Sequence, residues 1–160
     1  MTLALPVPSL ATIMPRLLPP VLLLISMIAM ATVHRYLPGI HFLPAWTRWP
    51  GLALLLIGIA ISAWHARLFR RRGTNIHTFR DPDVLVTEGM FRFTRNPMYL
   101  GFALALAGMA AILGSTTPFI VLALFIFLVD RWYIRLEERA MLRQFGDAYR
   151  SYRQQVRRWL

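Results

Sequence analysis

Two short polar segments of this 160-residue chain carry the residues best suited to bind a small charged molecule. In the first segment, Asn96 and Pro97 stand directly before a long apolar block, where a helix is expected to begin. The first N–H groups of a helix lack partners and favour a negatively charged group, and the Asn96 amide lies beside them. This arrangement predicts a site for a carboxylate, and an ordinary helix N-cap is the alternative.

The second segment contains two adjacent carboxylates, Glu137 and Glu138, on a helix that is expected to continue from the last apolar block. Helical spacing places Glu138 above an apolar stripe within residues 142–159. We therefore expect at least one of these carboxylates to be partly buried, where it can bind a cation. An ion pair with Arg135 or Arg139 on a surface helix is the alternative.

Other chemistry has less support in the sequence. The four histidines are scattered without metal-ligand spacing, so no metal site is expected; they are His34, His41, His65 and His77. The chain has no cysteine, which excludes a thiolate site and a cysteine nucleophile. Gly101 and Gly108 lie in an apolar block without a phosphate loop, a context that favours close helix packing.

The overall composition is typical of an integral membrane protein. Hydrophobic residues make up 57% of the chain and charged residues 16%, and the mean hydropathy is +0.51. A soluble domain of this length cannot bury so much apolar surface, and a disordered chain is excluded for the same reason. We predict one all-α membrane unit over residues 1–160.

Apolar blocks predict about four transmembrane helices, over residues 17–36, 49–69, 98–113 and 118–134. The last two come from one apolar run that is too long for a single crossing of a hydrocarbon core about 30 Å thick. Gly114 is expected to end the first of this pair, and Pro118 fits the first turn of the next helix. A cytoplasmic linker and an amphipathic carboxyl-terminal helix complete the predicted architecture.

The basic residues predict the orientation of this unit. All of them are arginine, and all but Arg35 and Arg48 fall on the side that would hold both termini. By the positive-inside rule, both termini and the site should be cytoplasmic, as in a bacterial inner-membrane protein. The same surface also suits lipid headgroups and needs no activity for that, whereas nucleic acid is not an expected partner.

The details of the two polar segments resemble a known group of enzymes. The first segment contains Leu85-Val86-Thr87, Gly89 and Phe91, followed by Arg95-Asn96-Pro97-Met98-Tyr99 and Gly101. This pattern resembles that of the isoprenylcysteine carboxyl methyltransferase and phospholipid methyltransferase superfamily, in its bacterial membrane branch. Arg135-Leu136-Glu137-Glu138, with Phe145-Gly146, Tyr149, Tyr152 and Arg158-Trp159-Leu160, resembles its carboxyl-terminal signature. Asn96 in place of histidine and Phe91 in place of tyrosine depart from the eukaryotic pattern and bear on the substrate.

The resemblance implies a methyltransferase that uses S-adenosylmethionine and releases S-adenosylhomocysteine. It implies that residues of both segments bind this cofactor, namely Leu85, Val86, Phe91, Arg95, Asn96, Pro97, Met98, Tyr99, Gly101, Glu137 and Glu138, with Glu137 the favoured carboxylate. Arg131 lies near the end of the last predicted transmembrane helix and Arg135 directly after it, and we expect both to act in catalysis by holding the methyl acceptor.

The expected acceptor is a lipophilic small molecule or lipid-modified group that enters from the bilayer. Its doorway should lie between the third and fourth spans, near Gly101, Phe102, Phe127 and Leu128. A carboxylate acceptor is favoured because its attack on a sulfonium neutralises opposite charges; an amine or thiol stays open. A non-catalytic membrane scaffold or transporter-like protein is the alternative function, and the sequence leaves the oligomeric state open.

Overall fold

The computed structural model describes residues 18–71 and 84–160, and within these ranges the fold is all-α, as predicted. The helices are α1 (Pro19–Tyr36), α2 (Arg48–Arg71), α3 (Pro97–Leu113), α4 (Thr116–Leu128) and α5 (Arg135–Gln155). A π-helical turn over Val129–Ile134 joins α4 directly to α5, and 3-10 turns occur at Ala45–Thr47 and Gly89–Arg92. The first residue of the predicted first span, His77 and most of the predicted linker lie outside the described residues.

Each predicted apolar block forms a helix, but their number does not establish the number of membrane crossings. Within the described ranges, α1 and the stretch Ala45–Leu68 are long and apolar enough to cross a membrane, whereas α3 has 17 residues and is shorter. Ile25, Leu56 and Leu124 are each about half exposed, as expected for helix faces that contact lipid. Four crossings therefore stay a prediction.

Helices α2 and α3 form a close antiparallel pair because glycines line their contact. A Cβ atom on Gly58 would collide with the Gly101 carbonyl and the Ala105 backbone nitrogen, and one on Gly108 would lie 2.5 Å from the Gly51 carbonyl. At the end of this contact, Ser62 Oγ donates a hydrogen bond of 3.1 Å to the Met98 carbonyl. Small residues let the two backbones approach, as they do in membrane helix pairs.

The same contact corrects the predicted doorway. Gly101 is buried against Gly58 and Ser62 of α2, and Phe102 is only 5% exposed in the core, so neither residue faces lipid. The predicted lipid-facing surface is therefore wrong at these two positions, because the absence of a side chain at Gly101 serves a neighbouring helix. Phe127, which is 57% exposed, does face outward.

Helices α3 and α4 form the predicted hairpin. Gly114 adopts a left-handed conformation with a φ of 74°, and its N–H donates to the Ala110 carbonyl at 2.9 Å. Helix α4 then begins at Thr116, so Pro118 lies in its first turn. The hairpin returns the chain to the end of the bundle at which α3 began, which brings α5 close to the start of α3.

The last part of the chain folds back on this end of the bundle. Helix α5 is interrupted at Gly146, where φ is 48° and ψ is −118°, a conformation that favours glycine. The helix ends where Val156 becomes extended. Residues 156–160 then run along residues 94–96, directly before α3, with hydrogen bonds that belong to the site described next.

Candidate functional site

A buried ion pair lies at the centre of this end of the bundle. Arg95, just before α3, places Nη1 3.0 Å from Oε1 of Glu138 in α5, and the two side chains are only 9% and 10% exposed. The predicted burial of one carboxylate is therefore found at Glu138. Glu138 pairs with arginines that are distant in sequence. The alternative, an ion pair with Arg135 or Arg139 on the same helix, is not the pairing found for Glu138.

Arg158 joins the same carboxylate to a second one. Its Nε and Nη2 atoms donate to the two oxygens of Glu138 at 3.1 Å and 2.6 Å, and its Nη1 donates to both oxygens of Asp130 at 3.1 Å. The hydrogen bond to Glu138 raises the pKa of Arg158. Asp130 also accepts a hydrogen bond of 3.0 Å from Trp159 Nε1. Sequence reasoning singled out neither Asp130 nor Arg158 as a site residue.

Asn96 binds the carboxyl-terminal segment through its side chain. Its Nδ2 donates to the Arg158 carbonyl at 2.9 Å, and Thr94 Oγ1 donates to the same carbonyl at 3.2 Å. The Arg95 N–H donates to the Arg157 carbonyl at 3.0 Å. Asn96 occupies the N-cap position of α3, as the alternative expected, but its side chain makes no capping hydrogen bond and binds the carboxyl-terminal segment instead.

The second predicted carboxylate lies beside Tyr99. Tyr99 is only 5% exposed. Its hydroxyl donates a hydrogen bond of 2.7 Å to Oε1 of Glu137. The rings of Tyr99 and Tyr133 lie 6.3 Å apart between centroids. Glu137 is partly buried, so its negative charge borders an aromatic surface.

An aromatic wall adjoins the ion pairs. Phe91, Tyr149, Tyr152 and Val156 form a buried cluster against which Leu85, Val86, Met141, Leu142 and Phe145 pack. Tyr152 donates a hydrogen bond of 2.7 Å to the Phe91 carbonyl, and burial raises its pKa to about 12. Burial, with a smaller contribution from Glu138, also raises the pKa of Tyr149, which accepts a hydrogen bond of 3.4 Å from Arg95 Nη1.

Two buried polar side chains at this end of the bundle, Arg95 and His65, lie close to Phe91 or Glu138. Arg95 Nε is buried without a hydrogen-bond partner among the residues that the structure describes, although a buried guanidinium nitrogen ordinarily has one. His65, only 2% exposed, shares a hydrogen bond of 2.8 Å between Nδ1 and the Ile61 carbonyl, and its ring lies edge-on to Phe91. Sequence reasoning placed no function on His65, because one histidine on an apolar helix carries no distinguishing pattern.

The site thus combines carboxylates, a buried Arg95 N–H without a described partner, and a cluster of aromatic side chains. Comparisons with known proteins identify the family of the chain. A model of the phospholipid methyltransferase family matches residues 46–148. The chain belongs to this family. The match includes Arg95, Tyr99, Glu137 and Glu138, and it confirms the superfamily resemblance on which the sequence analysis relied.

Three known proteins are similar in sequence to this chain. The chain is 32% identical to protein-S-isoprenylcysteine O-methyltransferase of Schizosaccharomyces pombe over 46% of its own length and 31% of that protein. It is 30% identical to methanethiol S-methyltransferase 1 of Bradyrhizobium diazoefficiens over 67% of its own length and 41% of that protein. It is also 38% identical to an uncharacterized protein of Haemophilus influenzae, over 39% of its own length and all of that protein.

A solved structure has the same fold. The eukaryotic intramembrane Ras methyltransferase, isoprenylcysteine carboxyl methyltransferase, superimposes with a TM-score of 0.61 at 26% sequence identity. The superposition covers 88% of this chain and 51% of that protein. The chain thus spans about half or less of the length of the methyltransferases named here.

Most family motif residues converge in the structure, but some do not. Leu85, Val86, Phe91, Arg95, Asn96, Tyr99, Glu137 and Glu138 all take part in the contacts described above. Pro97 is buried at the first position of α3, and Met98 contributes its carbonyl to Ser62. Gly101 contacts α2, so helix packing is the role that the structure supports for it.

The two arginines predicted to act in catalysis lie on the outside of the bundle. Arg131 and Arg135 are both exposed, and the Arg131 guanidinium carbon lies 5.7 Å from the centroid of the Phe127 ring. The buried ion pairs are made by Arg95 and Arg158 instead. Among the described residues, no three histidine, aspartate or glutamate side chains are grouped as metal ligands.

Proposed function

We propose that the chain is an integral membrane methyltransferase that transfers a methyl group from S-adenosylmethionine to a lipophilic acceptor. The observation that carries this proposal is the convergence of Arg95, Tyr99, Glu137 and Glu138, from the start of α3 and the start of α5, beside an aromatic wall. Membership of the phospholipid methyltransferase family supports the same reaction class.

The residues present fit the cofactor. The orphaned Arg95 Nε needs an acceptor, and the carboxylate of S-adenosylmethionine is one. The carboxylates of Glu137 and Glu138 suit its ammonium, ribose hydroxyl or sulfonium groups, and the wall of Phe91, with Leu85 and Val86, suits the flat adenine. When bound, the cofactor supplies a methyl group on a sulfonium.

The acceptor proposed for this site carries a carboxylate and an apolar tail. Arg131 and Arg135 would hold its charged head at the cytoplasmic boundary, while the exposed Phe127 and Trp132 surfaces leave room for a tail in lipid. A carboxylate loses no proton on methylation, so this reaction needs no base. An amine or a thiol would need one, and the buried His65 is then the candidate to accept the proton.

We propose that the site and both termini are cytoplasmic. The arginine distribution supports this orientation, because the end of the bundle that carries the site also carries Arg92, Arg95 and the arginines of α5. A lateral route for the acceptor then starts in the cytoplasmic leaflet, between lipid and the outer face of α4.

Binding of S-adenosylhomocysteine is the experiment that tests the proposal. Purified protein in lipid nanodiscs, titrated calorimetrically, should bind this product. Asn96→Ala and Glu137→Ala should weaken binding by about 5- to 150-fold, since each removes one polar partner. Arg150→Ala is the control, because Arg150 is exposed and contacts only the exposed Asp147 among the interactions described. Absence of binding by the natural chain would overturn the proposal.

The acceptor is tested separately with a radiolabelled methyl donor and membrane lipid extracts. The labelled product should be lipid-soluble. If the acceptor is a carboxylate, mild alkali should hydrolyse the methyl ester and release the label as methanol. Arg131→Gln and Arg135→Gln should raise the KM for the acceptor and leave the KM for the donor unchanged. Alkali-resistant label would instead assign an amine or thiol acceptor.

A further inference from the structure

Arg158 binds carboxylates on two different elements through its guanidinium. Its guanidinium binds Glu138, at the start of α5, and Asp130, in the π-helical turn. Four donor–acceptor pairs between 2.6 Å and 3.1 Å use the whole planar fork. The Arg158 side chain is 28% exposed and that of Glu138 is 10% exposed, so water competes little for the Glu138 oxygens.

The backbone of the same residue holds the other half of the site. The Arg158 carbonyl accepts hydrogen bonds from Asn96 Nδ2 and from Thr94 Oγ1. One residue therefore contacts a carboxylate on α5 through its side chain and an amide before α3 through its backbone. The neighbouring Arg157 contributes a carbonyl to Arg95 N–H, while its own side chain is exposed.

We propose that Arg158 is a positioning residue that fixes Glu138 and Asn96 in the geometry that binds the methyl donor. This inference rests on the proposed function. Arg95 also binds Glu138, but through a single contact of 3.0 Å from Nη1 to Oε1, which leaves the second oxygen to Arg158. Without Arg158, the Arg95 contact alone is left to orient the Glu138 carboxylate, and the carboxyl-terminal segment loses its ionic attachment.

The planar fork is what the role requires. A guanidinium presents parallel donors to Glu138 and a third nitrogen to Asp130, whereas the single ammonium of a lysine is a point charge that cannot match two carboxylates in this way. Arg158→Lys therefore separates geometry from charge. Arg157→Gln is the matched control, because it alters the adjacent side chain and retains the backbone carbonyl that binds Arg95.

The test compares donor binding and donor kinetics among these variants in nanodiscs. Arg158→Lys and Arg158→Gln should weaken S-adenosylhomocysteine binding by about 10- to 100-fold, with a matching rise in the donor KM and an unchanged acceptor KM. Arg157→Gln should bind as the natural chain does. A folded Arg158→Lys protein that binds S-adenosylhomocysteine as tightly as the natural chain would overturn the inference.

A measurement on the natural chain keeps the inference testable if either variant does not fold. S-adenosylhomocysteine should slow amide hydrogen exchange in residues 94–99 and in residues 156–160 together. Protection of 94–99 without 156–160 would show that Arg158 does not take part in donor binding. If the natural chain does not bind S-adenosylhomocysteine at all, it is the proposed function that fails.

Discussion

The hydroxyl of Tyr99 donates a 2.7 Å hydrogen bond to Oε1 of Glu137, across 38 residues of sequence, and so joins the first turn of α3 to the first turn of α5. Both residues belong to the motifs that resemble the methyltransferase superfamily. The contact gives the resemblance a physical basis, because a neutral donor in the core orients a carboxylate on another helix.

Replacing Tyr99 with phenylalanine tests this contact. Tyr99→Phe should lower the free energy of unfolding by about 1 kcal/mol and weaken S-adenosylhomocysteine binding several-fold, since Glu137 loses a buried donor. Thermal unfolding and calorimetric titration measure the two effects. Tyr36→Phe is the control, because Tyr36 is 75% exposed. Equal effects of both substitutions would contradict a specific role for the Tyr99 hydroxyl.

Neutralising Glu138 should be more damaging to the fold. Glu138→Gln leaves Arg95 and Arg158 facing each other with one fewer negative charge in a site that water barely reaches, which should cost about 3 kcal/mol. Unfolding in mixed detergent micelles measures the change. Asp147→Asn breaks an ion pair with side chains 70% and 91% exposed, so its stability should match the natural chain. A stable Glu138→Gln protein would show that the two arginines do not need this charge.

The stability of the fold should fall at alkaline pH. The pKa of Tyr152 is raised from 10.0 to about 12, so the folded state retains this proton longer than the unfolded state does. The stabilisation is complete below pH 10 and is lost as the pH rises through about 12. The chain contains no lysine or cysteine, so tyrosines dominate side-chain titration in this window.

Tyr152→Phe isolates that contribution. At neutral pH this variant should be less stable by about 1 kcal/mol, because the Phe91 carbonyl loses its donor. Its further loss of stability between pH 10 and 12 should be smaller than that of the natural chain, whereas Tyr36→Phe should retain the natural slope. Unfolding curves at a series of pH values measure both quantities, and identical slopes in all three proteins would exclude Tyr152 as the source.

Enlarging Gly101 should disrupt helix packing. A Cβ at this position would collide with Ser62 Oγ and lie 2.6 Å from the Gly58 carbonyl, so Gly101→Leu should destabilise the fold by about 3 kcal/mol or more. Ala60→Leu enlarges an exposed position on α2 and should be tolerated. A fully stable Gly101→Leu protein with impaired turnover of long-chain acceptors would restore the doorway interpretation.

Reporter fusions test the orientation. A reporter active only in the cytoplasm should give signal when fused after Leu160 and none when inserted after Gly39, between α1 and α2. A periplasm-specific reporter should behave in the opposite way. The reversed pattern, or the same side for both positions, would overturn the predicted topology.

Hydropathy, together with the glycine and proline residues that end or begin helices, determined where the helices lie in the sequence. The α3–α4 break at Gly114, the first turn of α4 around Pro118 and the all-α class all follow from local preferences, because a helix satisfies its hydrogen bonds within one segment. The spacing of Gly101 and Gly108 also indicated helix packing correctly. The spacing did not indicate which helix packs against these glycines, because periodicity defines a helix face but not the element that contacts it.

The sequence also predicted Asn96, Tyr99, Glu137 and Glu138 as site residues, through motifs and the expected burial of a carboxylate. Only the tertiary structure decided their partners. Arg158 is one of many arginines in the chain, and its carboxylates lie 20 and 28 residues away along the sequence. Long-range pairs of this kind depend on where the α3–α4 hairpin, the π-helical turn and the Gly146 kink place the backbone. No local spacing rule selects one arginine among them, whereas the folded backbone places Arg158 against both carboxylates.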